Sequence, residues 1–249
     1  MGQFENKVII ITGAASGIGR ATALAFAQDG AKVVVSDLRE EEGIETVKLI
    51  EEKKGSAFFI KCDVSLDDEV KNLVSKTIEK FGALHFAFNN AGVEGVVSPT
   101  TQCSFENWSR TIDINLRGVW LCMKYQIPAM IKNGHGAIVN CSSIAGLVGF
   151  EGSPAYVASK HGVIGLTQTA ALENAKQKIR INAVCPGPIE TPMLERLGKE
   201  TVVNLANLTP MGRLGRPEEI ADAVIWLCSE KSSYITGQSI TIDGGWVAH

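Results

Sequence analysis

The chain lacks the marks of several large protein classes. It has six cysteines, Cys62, Cys103, Cys122, Cys141, Cys185 and Cys228, and none forms a C-x-x-C pair. Most lie in apolar runs such as "VNCSS", which points to reduced, buried thiols and a cytoplasmic setting rather than a disulfide scaffold. Four dispersed histidines (His85, His135, His161, His249) offer no metal-ligand spacing, so no metal is expected. Basic residues are scattered and the net charge is −3, which leaves no footprint for nucleic acid. No apolar run approaches the ~18 residues needed to span a bilayer. The start, "MGQFENKVIIITG", has no signal-peptide pattern, and Asn6 stands where N-myristoylation prefers Ser or Thr. Low-complexity segments, internal repeats and credible linkers are also missing.

What remains is 249 residues of near-average composition, 45% hydrophobic and 20% charged, enough for one large domain over residues 1–249. Short β-branched runs alternate with longer amphipathic ones. "KVIIIT", "KVVVSD", "AFFIKC", "LHFAFNN", "GAIVNCSS", "KIRINAVCPG" and "SITIDGG" are the strand candidates. The segments between them predict about six main helices, including one long helix from "SFENWSRTIDINLRG" through "VWLCMKYQIPAMIKNG". Continuous apolar strands in βαβα order predict an α/β fold: a doubly wound parallel sheet of seven strands with helices on both faces. Residues 188–214, with three prolines, are the least regular stretch. They follow a strand, where such sheets bind ligands, and are either a mobile lid or a surface excursion.

"TGAASGIG" (Thr12 to Gly19) follows the first strand and opens a helix. Its glycines, Gly13, Gly17 and Gly19, are spaced G-x-x-x-G-x-G rather than G-x-G-x-x-G. Small residues let the backbone turn sharply and approach a pyrophosphate, and the helix N-terminus supplies free N–H groups. Ser16 adds a hydroxyl. Asp37 ends the second strand, where a carboxylate can accept hydrogen bonds from both hydroxyls of an adenosine ribose. It would also repel the 2′-phosphate of NADP, by roughly 1–3 kcal/mol after solvent discounting. Arg39 is the nearest cation and softens that repulsion, while Ala15 and Leu38, better placed to hold a phosphate, are uncharged. NAD is therefore favoured over NADP. The plainer alternatives are a tight turn for the glycines and a helix cap for Asp37.

These motifs, with "CDV" (62–64), "NNAG" (89–92), "INLRG" (114–118), "SS" (142–143), "YVASK" (156–160), "PGPIET" (186–191) and "TGQSITIDGG" (236–245), occur in order along the chain. In this the sequence resembles the short-chain dehydrogenase/reductase family of single-domain type, over essentially its whole length. The resemblance implies a Rossmann-like sheet of seven strands, a nicotinamide cofactor and a homotetramer. It implies Tyr156 as general acid/base, Lys160 as its partner, Ser143 rather than Ser142 as the substrate-holding serine, and Asn115 as the fourth member. For the cofactor it implies Gly13, Ser16, Gly17, Ile18 and Gly19 at the pyrophosphate. Asp37 and Leu38 fall beside the ribose, and Cys62, Asp63 and Val64 beside the adenine. Asn90, Ala91 and Gly92 line the middle, with Asn90 at the adenosine ribose. Pro186, Gly187, Ile189 and Thr191 follow, the last two holding the carboxamide, with Tyr156 and Lys160 at the nicotinamide ribose.

The chemistry suits these residue types. Tyrosine is ordinarily protonated at neutral pH, with a pKa near 10. A lysine four residues on shares its helix face, and its ammonium favours the phenolate. The expected reaction is hydride transfer between a secondary alcohol or ketone and NAD(H). Val96, Leu147, Val148 and Phe150 predict a largely apolar pocket for a cyclic alcohol, a diol or a sugar. Glu94 and Glu151 could bind a second hydroxyl, or be solvated or intersubunit residues. His161 should point off the catalytic face. The competing functions are a 3-oxoacyl-thioester (acyl-carrier-protein) reductase, against which Asp37 argues, and a non-enzymatic cofactor sensor or scaffold. A methyltransferase would have no use for Tyr156 and Lys160.

Overall fold

The computed structural model describes residues 2–248. Met1 and His249, used above in judging the N-terminus and counting histidines, lie outside them. Seven strands form one sheet in the order β3-β2-β1-β4-β5-β6-β7. They are β1 Val8–Thr12, β2 Lys32–Asp37, β3 Ser56–Lys61, β4 Phe86–Asn89, β5 Gly136–Cys141, β6 Ile179–Pro186 and β7 Ser239–Ile242. Every pairing is parallel. Each strand falls within or beside its expected run, because a strand covered on both faces must be apolar throughout: all five residues of β1 are buried.

Alternate side chains feed two cores. Ile9, Ile11, Val33 and Val35 pack with α1 (Gly17–Gln28) and, near the sheet's far end, α9 (Pro217–Cys228) through Phe26, Ile220 and Val224. Ile10 and Val34 point the other way. They join Leu73 of α3 (Asp67–Phe81), Met123 of α5 (Gly118–Lys132) and Val163 of α6 (Pro154–Asn174). Local chemistry sets the helix ends. Helix α2 (Glu40–Glu52) and α3 each open on three acidic residues that complement the helix dipole, and α3 closes on Gly82 at φ +79°.

The expected long helix is not uniform. It comprises α4 (Phe105–Ile112), a π-helical turn at Asp113–Arg117, and α5. The wider turn accommodates Asn115, whose amide leaves the helix to bind the loop after β4, as described below.

Strand order reverses between β1, which turns to β2, and β4, which turns to β5. Ligand clefts in such sheets open at the carboxyl ends of the strands at this reversal. Residues 188–214 rise beside it as a stemmed flap holding α7 (Pro192–Glu195) and α8 (Lys199–Leu208). Its base is closed where Glu190 N–H donates to Gly215 O and Gly215 N–H to Pro188 O, both 2.9 Å. Helix α8 buries no residue. Among the described residues no helix is long and apolar enough to cross a membrane. Nor does any group of three or more His, Cys, Asp or Glu gather to hold a metal ion.

Candidate active site

The glycine loop is shaped by contacts that tolerate no side chain. Gly13 and Gly17 have φ of +64° and +53°. A Cβ on Gly19 would lie 2.2 Å from the Gly13 carbonyl oxygen, so α1 begins with its backbone against the loop. Asn90 fastens this turn to the end of β4. Its Nδ2 donates to the carbonyls of Thr12 (3.0 Å) and Gly13 (3.2 Å), and its backbone N–H donates to Thr12 Oγ1 at 3.0 Å. Ala91 N–H also donates to Thr12 Oγ1. The side-chain nitrogen of Asn90 is thus committed to the loop.

Asp37 is nearly buried, 9% exposed, at the end of β2. Oδ2 accepts the Ala15 N–H and Oδ1 the Arg39 N–H, each at 3.0 Å. The Arg39 guanidinium bends back, its Nε 3.4 Å from Asp37 Oδ1 and its Nη2 donating to Ser16 Oγ at 2.8 Å. Arg39 therefore spans the mouth between the acid and the glycine loop, a bridge that the sequence did not reveal. A cleft of about 340 Å³ runs from this mouth along Gly13, Ser16, Gly17, Ile18, Leu38, Cys62, Asp63, Val64 and Gly92. Asp63 is held by Ser65, whose N–H and hydroxyl both donate to Oδ1. Burial, aided by the Glu69 and Asp63 carboxylates, pushes the Cys62 thiol up to about 12, so it is a neutral wall and not a nucleophile.

A second cleft, of about 180 Å³, holds Ser143, Tyr156 and Lys160 together. It shares Ile18, Asn90, Gly92, Val93, Thr191 and Met193 with the first, so the two are one continuous trough. Lys160 belongs to the buried stripe of α6 and is only 4% exposed. Its Nζ donates to Cys141 O at 2.8 Å and sits 5.5 Å from the Tyr156 ring centre. Ser142 and Ser143 diverge in role. Ser142 Oγ is spent on the Lys160 carbonyl at 2.9 Å, whereas Ser143 Oγ accepts only the Ala145 N–H. The Cys141 and Cys185 thiols nearby are raised by burial first of all, the latter to about 11.

Asn115 is fully buried in the π turn. Its Oδ1 accepts from Val93 N–H and its Nδ2 donates to Val93 O, both at 2.8 Å, and Nδ2 also reaches Ser159 Oγ at 3.2 Å. A Cβ on Gly92 would sit 3.2 Å from Asn115 Oδ1 and 3.7 Å from Lys160 Nζ, so the two side chains flank one small space. On the flap side, Ile189 is buried and bridges to Gly215. Thr191 caps α7, and its methyl closes on Gly17: a Cβ there would lie 3.0 Å from Thr191 Cγ2. Pro186 ends β6 and Gly187 packs on Asp243.

Of the other residues singled out, Glu94 meets Arg196 of the flap, with Nε–Oε1 at 3.3 Å and Nη2–Oε2 at 3.4 Å. Glu151 is exposed in the turn before α6 and lines neither cleft. His161 is exposed, its ring nitrogen on Val157 O.

The trough has a glycine loop, a strand-end acid and a Ser–Tyr–Lys set, and comparison with known proteins shows the family. A family model described as enoyl-(acyl carrier protein) reductase matches residues 13–247. The cyclohexanol dehydrogenase of an Acinetobacter species is 46% identical, over 99% of this chain and 97% of its own. A 3-oxoacyl-(acyl-carrier-protein) reductase of Thermotoga maritima is 44% identical, over 98% of this chain and 99% of its own. The crystal structure of levodione reductase superposes with a TM-score of 0.96 at 36% identity, covering 98% of this chain and 99% of that one. The chain belongs to the short-chain dehydrogenase/reductase family, nicotinamide-dependent oxidoreductases that act on CH–OH groups.

Proposed function

We propose that this protein is an NAD-dependent dehydrogenase of secondary, preferably cyclic, alcohols, with Tyr156 as general acid/base. The observation that carries it is the continuous trough, with Asp37 at one end and Ser143, Tyr156 and Lys160 at the other. The residues along it fit NAD. Gly13, Gly17 and the α1 N-terminus take the pyrophosphate, and Asp37 keeps acceptor capacity for ribose hydroxyls. Leu38, Asp63 and Val64 flank the adenosine, while Ile189 and Thr191 reach the nicotinamide end. Bound nicotinamide supplies the hydride acceptor.

The chain does the rest. Ser143 holds the alcohol oxygen beside Tyr156, which removes the proton from that oxygen as hydride leaves the carbinol carbon and the C=O bond forms; reduction is the reverse. Lys160, held by the Cys141 carbonyl, sets its amino group beside the Tyr156 ring and offers donors to the nicotinamide ribose. Asn115 and Lys160 flank the space above Gly92, where a water would carry the proton outward. Val93, Ile189, Met193 and Leu194, and not the expected Val96, Leu147, Val148 and Phe150, which line neither cleft, give the substrate end an apolar lining that favours a ring hydrocarbon. Its similarity to cyclohexanol dehydrogenase supports that class.

The protein is further proposed to be a cytoplasmic homotetramer. Six free thiols suit a reducing compartment. Phe105, Trp108 and Trp120 stand exposed on α4 and α5 and offer an apolar face to another copy. One alternative has its own support: the Thermotoga relative and the family model's description both name acyl-carrier-protein reductases. A panel of cyclic alcohols, diols, sugars and 3-oxoacyl thioesters, assayed with NAD(H) and NADP(H) in parallel, separates the two. Fastest turnover of a cyclic alcohol with NAD supports the proposal; turnover confined to oxoacyl thioesters with NADPH overturns it. NADH binding with no turnover of any class would favour a sensor.

A further inference from the structure

Beneath the catalytic residues lies a buried polar network with no part in the chemistry above. Asn140 (β5), Gln126 (α5) and Thr167 (α6) are fully buried, and Asn89 (β4) is 2% exposed. Asn89 Nδ2 donates to Asn140 Oδ1 (2.9 Å) and to Gln126 Oε1 (3.1 Å), and Gln126 Nε2 donates back to Asn89 Oδ1 (2.8 Å). Asn140 Nδ2 donates to Thr167 Oγ1 at 2.9 Å, and that hydroxyl donates to Val163 O at 2.7 Å.

Two features separate this network from ordinary core polarity. First, its members sit on the elements that carry the catalytic set. Ser143 follows β5 directly, Tyr156 and Lys160 are on α6, and Asn115 lies in the turn that continues into α5. Second, it completes a ladder between β5 and α6. Asn140–Thr167 is the lowest rung, and Lys160 Nζ to Cys141 O and Ser142 Oγ to Lys160 O are the upper two. Thr167 lies two turns below Lys160 on the same buried stripe, and Asn140 precedes the residue whose carbonyl holds the ammonium. Stability alone does not require such a network, since apolar residues of matching shape can serve about as well when both partners of a hydrogen bond are replaced. Its hydrogen bonds are directional and fix the register of α6 on β5, which apolar packing does less sharply.

We propose that Asn140, with Thr167 and Gln126, is a positioning residue that sets α6 against β5, so that Lys160 and Tyr156 meet Ser143 in working geometry. The proposal rests on the dehydrogenase function for its kinetic consequence, but not for its structural one. Three variants test it: Asn140→Leu, Thr167→Val and Thr167→Ser, the last keeping the hydroxyl. The first readout needs no turnover. Acetylation by acetic anhydride, followed by peptide mass spectrometry, compares Lys160 with the exposed Lys54. Loosening the ladder in Thr167→Val and Asn140→Leu should speed Lys160 labelling at least about fivefold, while Thr167→Ser stays as wild type. The second readout is kinetic. Misplacement by a fraction of an ångström should lower kcat about tenfold in Thr167→Val and up to about a hundredfold in Asn140→Leu, with restoration in Thr167→Ser. NADH affinity should fall less than kcat, by no more than about fivefold, because Lys160 and Tyr156 supply only the nicotinamide-ribose contacts while the glycine loop and Asp37 hold the rest of the cofactor.

Lower melting temperature with wild-type labelling and wild-type kcat would make the network merely structural and overturn the proposal. Equal losses in Thr167→Ser and Thr167→Val would do the same. If Asn140→Leu does not fold, Thr167→Val decides. A wild-type protein with no turnover would sink the dehydrogenase function, and the labelling result would still judge the network.

Discussion

Asp37→Asn changes charge while keeping shape, and so isolates the cofactor preference. The carboxylate is nearly buried, accepts the Ala15 and Arg39 N–H groups, and stands at the adenosine end of the trough. A 2′-phosphate about 4 Å from it would meet a repulsion of ~4 kcal/mol per unit charge at an effective dielectric of 20. Two things reduce this. The Arg39 guanidinium lies 3.4 Å from Oδ1 and offsets part of the charge, and its side chain is 45% exposed, so the mouth is wet. About 1–2 kcal/mol then survives, or roughly five- to thirtyfold in the NAD-over-NADP ratio. The assay is a fluorescence titration with NADH and NADPH, giving both dissociation constants for wild type and variant. The ratio should fall by that factor, with loss of NADH affinity from the weaker ribose contact and gain of NADPH affinity from the removed charge. A ratio unchanged within twofold, in a variant that melts like wild type, would refute the role of Asp37.

Gly19→Ala should abolish NADH binding, because its methyl would lie 2.2 Å from the Gly13 carbonyl and 2.7 Å from Asn90 Nδ2; retained affinity in a titration would show the loop to be dispensable. Glu94→Gln breaks the tie between the loop after β4 and the flap, so stopped-flow displacement should show NADH leaving a few-fold faster, and the wild-type rate should itself rise with salt. A salt-independent rate equal in both proteins would remove the flap from the exit path. His85 accepts the Val8 N–H through Nδ1, and burial first, then Lys7 and His135, lowers its pKa from 6.5 to about 4. The unfolded chain therefore binds the extra proton between those values, and stability is lost as pH falls from 6.5 toward 4. The loss should be about 2 kcal/mol after allowance for partial exposure. Urea denaturation at pH 7 and pH 4.5 checks it: His85→Gln should flatten the difference, and an equal pH dependence in both proteins would contradict it.

Strand identity was legible because burial on both faces demands long apolar runs, and the glycine loop because Gly19 must touch a carbonyl. The continuous trough also follows motifs visible along the chain: Asp37, Ser143, Tyr156 and Lys160 all fall on it. Features set by distant pairing were not legible. Glu94 and Arg196 are 102 residues apart in sequence, and nothing local to either announces the contact. The π turn at Asp113–Arg117 depends on Asn115 reaching Val93, 22 residues upstream, and helix periodicity cannot report that. Arg39 was seen as a nearby charge, but its bond to Ser16 depends on how the loop folds back over β2. Asn140, Gln126 and Thr167 passed as ordinary residues of apolar segments, because buried amides become informative only once their partners are known.

The most direct test of the central claim is Tyr156→Phe, assayed for NAD-dependent oxidation of the best secondary alcohol alongside NADH binding. Loss of turnover by at least about a thousandfold, with NADH affinity within about threefold of wild type, is the predicted result. Turnover retained within tenfold would contradict the account, because another group would then have to carry out the proton transfer assigned to Tyr156.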